Sequence, residues 1–106
     1  MSKQLPSRPI LQQSTRPRSL AYRNYVKSLP SVVSGLPADD AHHVKGHGMG
    51  GAGLTAPDWA TIPLTRGEHE EFHRLGAQQW EMKYGSQLEH VARTLGRAID
   101  DGIIRL

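Results

Sequence analysis

A chain of 106 residues with 37% hydrophobic side chains and a formal charge of +3 has room for one domain with a thin core. No apolar run approaches the roughly 20 residues that a membrane-spanning helix needs, so no membrane partner is expected. The absence of cysteine excludes disulfides, catalytic thiols and thiolate zinc sites.

The charge is unevenly spread. Residues 1–30 carry Lys3, Arg8, Arg16, Arg18, Arg23 and Lys27 and no acid, which leaves 7 basic against 10 acidic side chains beyond them. A basic arm on a mildly acidic body suits a polyanion, most simply nucleic acid. The first residues lack an apolar signal core, so a cytoplasmic location is expected.

Residues 1–17 hold Pro6, Pro9 and Pro17 among Ser, Gln and Arg and read as a disordered basic leader; 18–106 read as the folded domain. From Arg18 to Leu29 the residues Leu20, Tyr22, Tyr25, Val26 and Leu29 recur near helical spacing, and Pro30 stops the helix. Turn formers dominate 30–58, including five glycines between 46 and 53. Strands are predicted over Ala41–Lys45 and Ala60–Thr65. A helix follows over Arg66–Leu75, with acids early and Arg74 late to complement its dipole, and Gly76 as its stop. Gln78–Tyr84 reads as a further helix ending at Gly85. Ser86 with Glu89 opens a last one, whose Leu88, Val91, Ala92, Leu95, Ala98 and Ile99 run to about Asp101. After Gly102, Ile103–Leu106 is predicted to close the fold as a strand. Trp59, Trp80 and Tyr84 are expected in the core. The class is α+β.

Five of the six histidines fall at 42, 43, 47, 69 and 73. His69 and His73 lie one turn apart on a predicted helix, so both imidazoles leave one face and can share a metal. Alone that spacing is weak, since an exposed polar pair satisfies it equally. The His42–His43 doublet strengthens it. Neighbours on a strand point to opposite faces, so one ring can complete a three-histidine site while the other serves as a base.

A strand with a histidine doublet, a glycine-rich loop, a second strand and a His-x-x-x-His helix resembles the ββα-metal motif of HNH endonucleases. Thr65-Arg66-Gly67-Glu68-His69-Glu70-Glu71-Phe72-His73 is similar to the helix start of DNase colicins. A closer resemblance, covering about residues 18–106, is to small phage and prophage HNH proteins of the recombination-associated, Ref-like type. It rests on Leu29-Pro30, Asp39-Asp40-Ala41-His42-His43, Met49-Gly50, Ile62-Pro63-Leu64, Trp80-Glu81 and Tyr84-Gly85-Ser86-Gln87. The resemblance implies a ββα-metal fold flanked by an N-terminal helix and C-terminal helices, in which His42, His69 and His73 ligate one divalent ion and His43 is the general base. It implies DNA as substrate and adds a recombinase filament as a candidate partner.

That family also carries a structural zinc clip. Its ligand positions here are Ser31, Ser34, Thr65 and Glu68, so the clip is lost as a unit and no structural zinc is expected.

The chemistry suits these residues. A neutral imidazole accepts a proton from water at physiological pH, and a three-ligand metal keeps positions open for phosphate. Nitrogen ligands favour Zn²⁺, Ni²⁺, Co²⁺ or Mn²⁺ over Mg²⁺, although HNH enzymes differ in the ion used. Arg66, Arg16, Arg18, Arg23, Lys27 and Lys45 are candidates to contact phosphates. Asp58 is expected to pin the glycine loop or support the site, His47 reads as a loop residue, and His90 has no assigned role. The competing reading is a non-catalytic nucleic-acid-binding module derived from an HNH nuclease, which loss of the clip favours and retention of the four histidines opposes.

Overall fold

The computed structural model describes residues 18–49 and 55–106. The basic leader with Arg16, and the glycines at 50, 51 and 53, lie outside the described residues.

Helix α1 spans Leu20–Lys27 and starts at Ser19, whose hydroxyl accepts from the Tyr22 N–H. Two short strands, β1 (Asp40–His43) and β2 (Thr61–Leu64), pair antiparallel with Asp40 opposite Leu64 and His43 opposite Thr61. Helices α2 (Arg66–Leu75), α3 (Ala77–Tyr84) and α4 (Gln87–Asp100) complete the described chain. The arrangement is α+β, as the sequence implies. The strands are each a residue or two shorter than their apolar patterns suggest.

All four β2 residues are buried. Both faces of the strand are therefore covered, which explains its run of Ile62, Pro63 and Leu64 in place of alternation. Pro63 cannot donate to a ladder, but its carbonyl accepts from the Val32 N–H at 3.1 Å, which fastens the loop after α1 to the strand. Ile62, Leu64, Phe72, Trp80, Val91 and Val44 form the main core, and a smaller cluster joins Tyr22 and Val26 to Ala98 of α4. α1 and α4 thereby close over the hairpin from two sides.

The helical segments are separated by Gly76 and Gly85, at φ +86° and +96°, a region that side-chain-bearing residues avoid. That is why 66–84 breaks into two helices meeting at a corner, placing Phe72 and Trp80 together with centroids 5.4 Å apart.

Two expectations are corrected. Trp59 is not core: it is 42% exposed, because it sits in the surface turn before β2, where Asp58 turns inward instead. Ile103–Leu106 is not a strand. The N–H groups of Ile103 and Ile104 both go to the Ala98 carbonyl, at 2.8 and 3.2 Å, so the chain folds back on the end of α4 with no amides left in a row to pair. Trp80 is fully buried as expected. Among the described residues no helix is long and apolar enough to cross a membrane.

Candidate functional site

The site begins with the alternation of β1. His42 faces inward and is fully buried, while His43 points to the opposite face and stays half-buried. α2 is aimed at the inward face by its first turn. Thr65 accepts from the Glu68 N–H and Glu68 accepts from the Thr65 N–H, a reciprocal capping box that fixes where the helix begins. Counting from that start, His69, Phe72 and His73 all lie on the face turned to β1.

The three rings meet there. His42 stacks on Phe72 with centroids 4.2 Å apart and lies 5.0 Å from His69 and 6.4 Å from His73; His69 and His73 are 4.8 Å apart. Three imidazoles on one tetrahedral ion hold their centroids roughly 5 Å apart, with nitrogens about 2.0–2.1 Å from the metal. Among the described residues, no group of three or more His, Cys, Asp or Glu side chains is placed so that it could hold a metal ion. His42 Nε2 bonds to Gln87 Oε1 at 3.1 Å, and His69 Nδ1 to Asp40 Oδ2 at 3.0 Å. His42 Nδ1, by contrast, is buried with no hydrogen-bond partner. A buried ring nitrogen without a partner is costly unless something accepts its lone pair.

Electrostatics favour the neutral form of His42 and of His73. Burial pushes the His42 pKa down to about 3. Burial, with the nearby His69 and Lys45, also holds His73 below the ordinary imidazole value. Asp40 is lowered by its hydrogen bonds from Arg66, with a further contribution from His69. Arg66 grips Asp40 with two N–H groups, at 2.8 and 2.9 Å.

On the outer face, His43 Nε2 donates to Asp58 Oδ1 at 2.8 Å. Asp58 is 2% exposed and also accepts from the Ser19 N–H at 2.6 Å and from Arg23 Nε at 3.2 Å. Burial alone would raise this carboxyl, but the hydrogen bonds from His43 and Ser19 and the charge of Arg23 outweigh it and hold the group below the usual range. Asp58 ties the turn before β2 to α1, and it orients His43.

A cleft of about 440 Å³ runs between α1 and α2. Arg23 and Lys27 line one wall, Arg66, His69, Glu70 and His73 the other, with Asp40 and Ala41 beneath. Three of the candidate phosphate contacts therefore share a cleft with two of the three converging histidines. Arg18 is placed elsewhere, donating to the Ala56 carbonyl at 3.2 Å. Lys45 is exposed just beyond β1. Arg16 falls outside the described residues.

The four positions where the resembled family holds zinc also converge. Ser31 Oγ donates to Glu68 Oε1 at 2.5 Å, the Thr65 N–H reaches the same oxygen at 2.8 Å, and the Ser34 N–H reaches Ser31 Oγ at 3.2 Å. Burial would raise the Glu68 carboxyl, but hydrogen bonds from Ser31, Ser34 and Thr65 bring it below its ordinary value. A carboxylate-centred hydrogen-bond cluster joins the positions that correspond to the lost clip.

Sequence reasoning missed three participants. Asp40 was legible, since it lies two residues before His42 on the same strand face. Gln87 and Glu81 belong to the segments that carry the family resemblance, but nothing in the sequence pointed to a role for them beside the histidines. Gln87 reaches His42 across 45 positions of chain, and Glu81 backs Gln87 from α3 while also accepting from His47 at 2.7 Å. His47 is a loop residue as expected, at φ +58°. His90 is buried, with Nε2 bonded to the Tyr84 carbonyl at 2.8 Å.

Comparison with known proteins adds a relative and a family. The chain is 45% identical over 83 residues to the uncharacterized protein YdfU of Escherichia coli (strain K12), an alignment covering 78% of this chain. It spans 24% of that relative's length. No solved structure matches it. The family described as "Protein of unknown function (DUF968)" matches residues 8–102, and with nine-tenths of its length inside that match the chain belongs to this family.

Proposed function

We propose that this domain hydrolyses phosphodiester bonds in DNA, with one divalent ion held by His42, His69 and His73 and with His43 as general base. The observation that carries the reading is the closeness of three imidazoles, one of which, His42, has a buried Nδ1 without a hydrogen-bond partner. When bound, a divalent ion supplies Lewis acidity to the scissile phosphate and to the departing oxygen.

The chain's own residues supply the remainder. A carboxylate only accepts, so Asp58 keeps a hydrogen on His43 Nε2 and leaves the Nδ1 lone pair to take a proton from water. Arg23, Lys27 and Arg66 give the cleft a positive rim for the DNA backbone. Asp40, beneath the cleft, bonds both Arg66 and His69 and so fixes the two α2 side chains relative to β1. The low pKa of His42 keeps it neutral and able to ligate at physiological pH. The resemblance to recombination-associated HNH proteins extends the proposal to DNA processing beside a recombinase filament.

Incubation of the purified protein with supercoiled plasmid, with each of Zn²⁺, Ni²⁺, Co²⁺, Mn²⁺ and Mg²⁺ and with chelator, tests the reading. Cleavage is expected with at least one ion and not with chelator. His43→Ala should lower it by roughly 10²–10⁴-fold with metal affinity intact, whereas His73→Ala should lose both. A parent protein that binds DNA but cuts it with none of these ions would establish the binding-module reading instead.

A further inference from the structure

Gln87, the first residue of α4, is fully buried. Its side-chain amide has one allowed orientation. Oε1 accepts from the Lys45 N–H at 3.0 Å, while Nε2 donates to the Lys45 carbonyl at 3.0 Å and to Glu81 Oε2 at 2.9 Å. Turning the amide over would set Nε2 against an N–H and Oε1 against two acceptors. The Gln87 backbone N–H also reaches Glu81 Oε2, at 3.2 Å, which anchors the residue from both ends.

This arrangement dictates the state of His42. The oxygen that meets His42 Nε2 at 3.1 Å can only accept, so Nε2 must carry the hydrogen. A neutral imidazole has one N–H, and the lone pair is therefore on Nδ1, the nitrogen that is buried and unpartnered. Metal-ligating histidines characteristically donate their second N–H to an oxygen that fixes tautomer and ring orientation. Here the oxygen belongs to an amide held from behind by a carboxylate and a strand-end backbone.

We propose that Gln87 is the positioning residue of this site: oriented by Glu81 and the Lys45 backbone, it takes the Nε2 hydrogen of His42 and thereby presents Nδ1 as the ligating atom. The inference rests on the metal-site reading above.

Nitrogen-15 spectra of the histidine rings in the parent protein test it without any activity measurement. In chelator at pH 7.5, His42 should show a hydrogen on Nε2 and a bare Nδ1. Zinc loading should move the Nδ1 resonance and leave the Nε2–H in place. Zinc affinity, measured against a competing chromophoric chelator, should fall roughly 10–100-fold in Gln87→Met, which keeps the volume and removes the acceptor. A hydrogen on Nδ1 in the metal-free parent, or zinc displacing the Nε2–H, overturns the inference even if the variant fails to fold. Equal zinc affinity in parent and Gln87→Met overturns it while leaving the metal reading intact. A parent with the expected tautomer that binds none of Zn²⁺, Ni²⁺, Co²⁺, Mn²⁺ and Mg²⁺ overturns the metal reading and the ligating role of Nδ1 with it.

Discussion

Acidification should destabilise this protein chiefly through His42, with His73 adding the same sign, well before its carboxylates titrate. His42 is wholly buried, and burial carries its pKa from the ordinary 6.5 to about 3. The unfolded chain takes up a proton at His42 below about pH 6.5, but the folded chain does not until about pH 3. The contribution is therefore fully present above 6.5 and is lost progressively as pH falls from about 6.5 towards 3. One pKa unit corresponds to about 1.4 kcal/mol, so the loss between pH 7.5 and pH 5 comes to about 2 kcal/mol. Asp40, Asp58 and Glu68, which start from 3.8, 3.8 and 4.5 and are lowered, add the same sign only at more acid pH. Against a total stability of about 5–15 kcal/mol, the His42 effect is large. Urea unfolding followed by Trp80 fluorescence, with chelator present, should show a midpoint lower by about 1 M at pH 5 than at pH 7.5. In His42→Gln most of that difference should disappear. An unchanged midpoint in the parent would refute the argument, because a buried neutral imidazole cannot avoid this linkage.

Glu68→Ala removes the shared acceptor of Ser31 Oγ and the Thr65 N–H at the start of α2, and a loss of about 1–3 kcal/mol is expected, read as a fall of several degrees in thermal midpoint. An unshifted midpoint would mean that the cluster does not fasten the corner. Asp58→Asn exchanges a buried charge that accepts from Ser19, Arg23 and His43 for a neutral amide, at a cost of about 1.5–3 kcal/mol in urea unfolding. If His43 is the base, plasmid cleavage by folded Asp58→Asn should also fall at saturating DNA, whereas intact cleavage would remove Asp58 from the site.

Much of the frame is local and was legible in the chain. Ser86, three residues before Glu89, starts α4, Gly76 and Gly85 break the helical run, and the one-turn spacing of His69 and His73 places two rings on one face whatever packs against it. The doublet at 42 and 43 divides itself between two faces by strand alternation alone. Which ring faces inward is a tertiary matter, settled by Phe72 and the core beneath β1. So is the fate of Trp59, whose size argued for burial but whose turn lies at the surface, and of Ile103 and Ile104, whose amides are taken by the end of α4 before any strand can claim them. The partners that give each histidine its chemistry, Asp58 for His43 and Gln87 with Glu81 for His42, come from elements 15 and 45 positions away from the rings they touch. Periodicity and capping operate over a few residues, so they determine where elements begin and which way their faces point. A hydrogen bond between a buried amide and a ring on another element has no local signature, and it exists only once the packing of α4 against the hairpin has brought the two together.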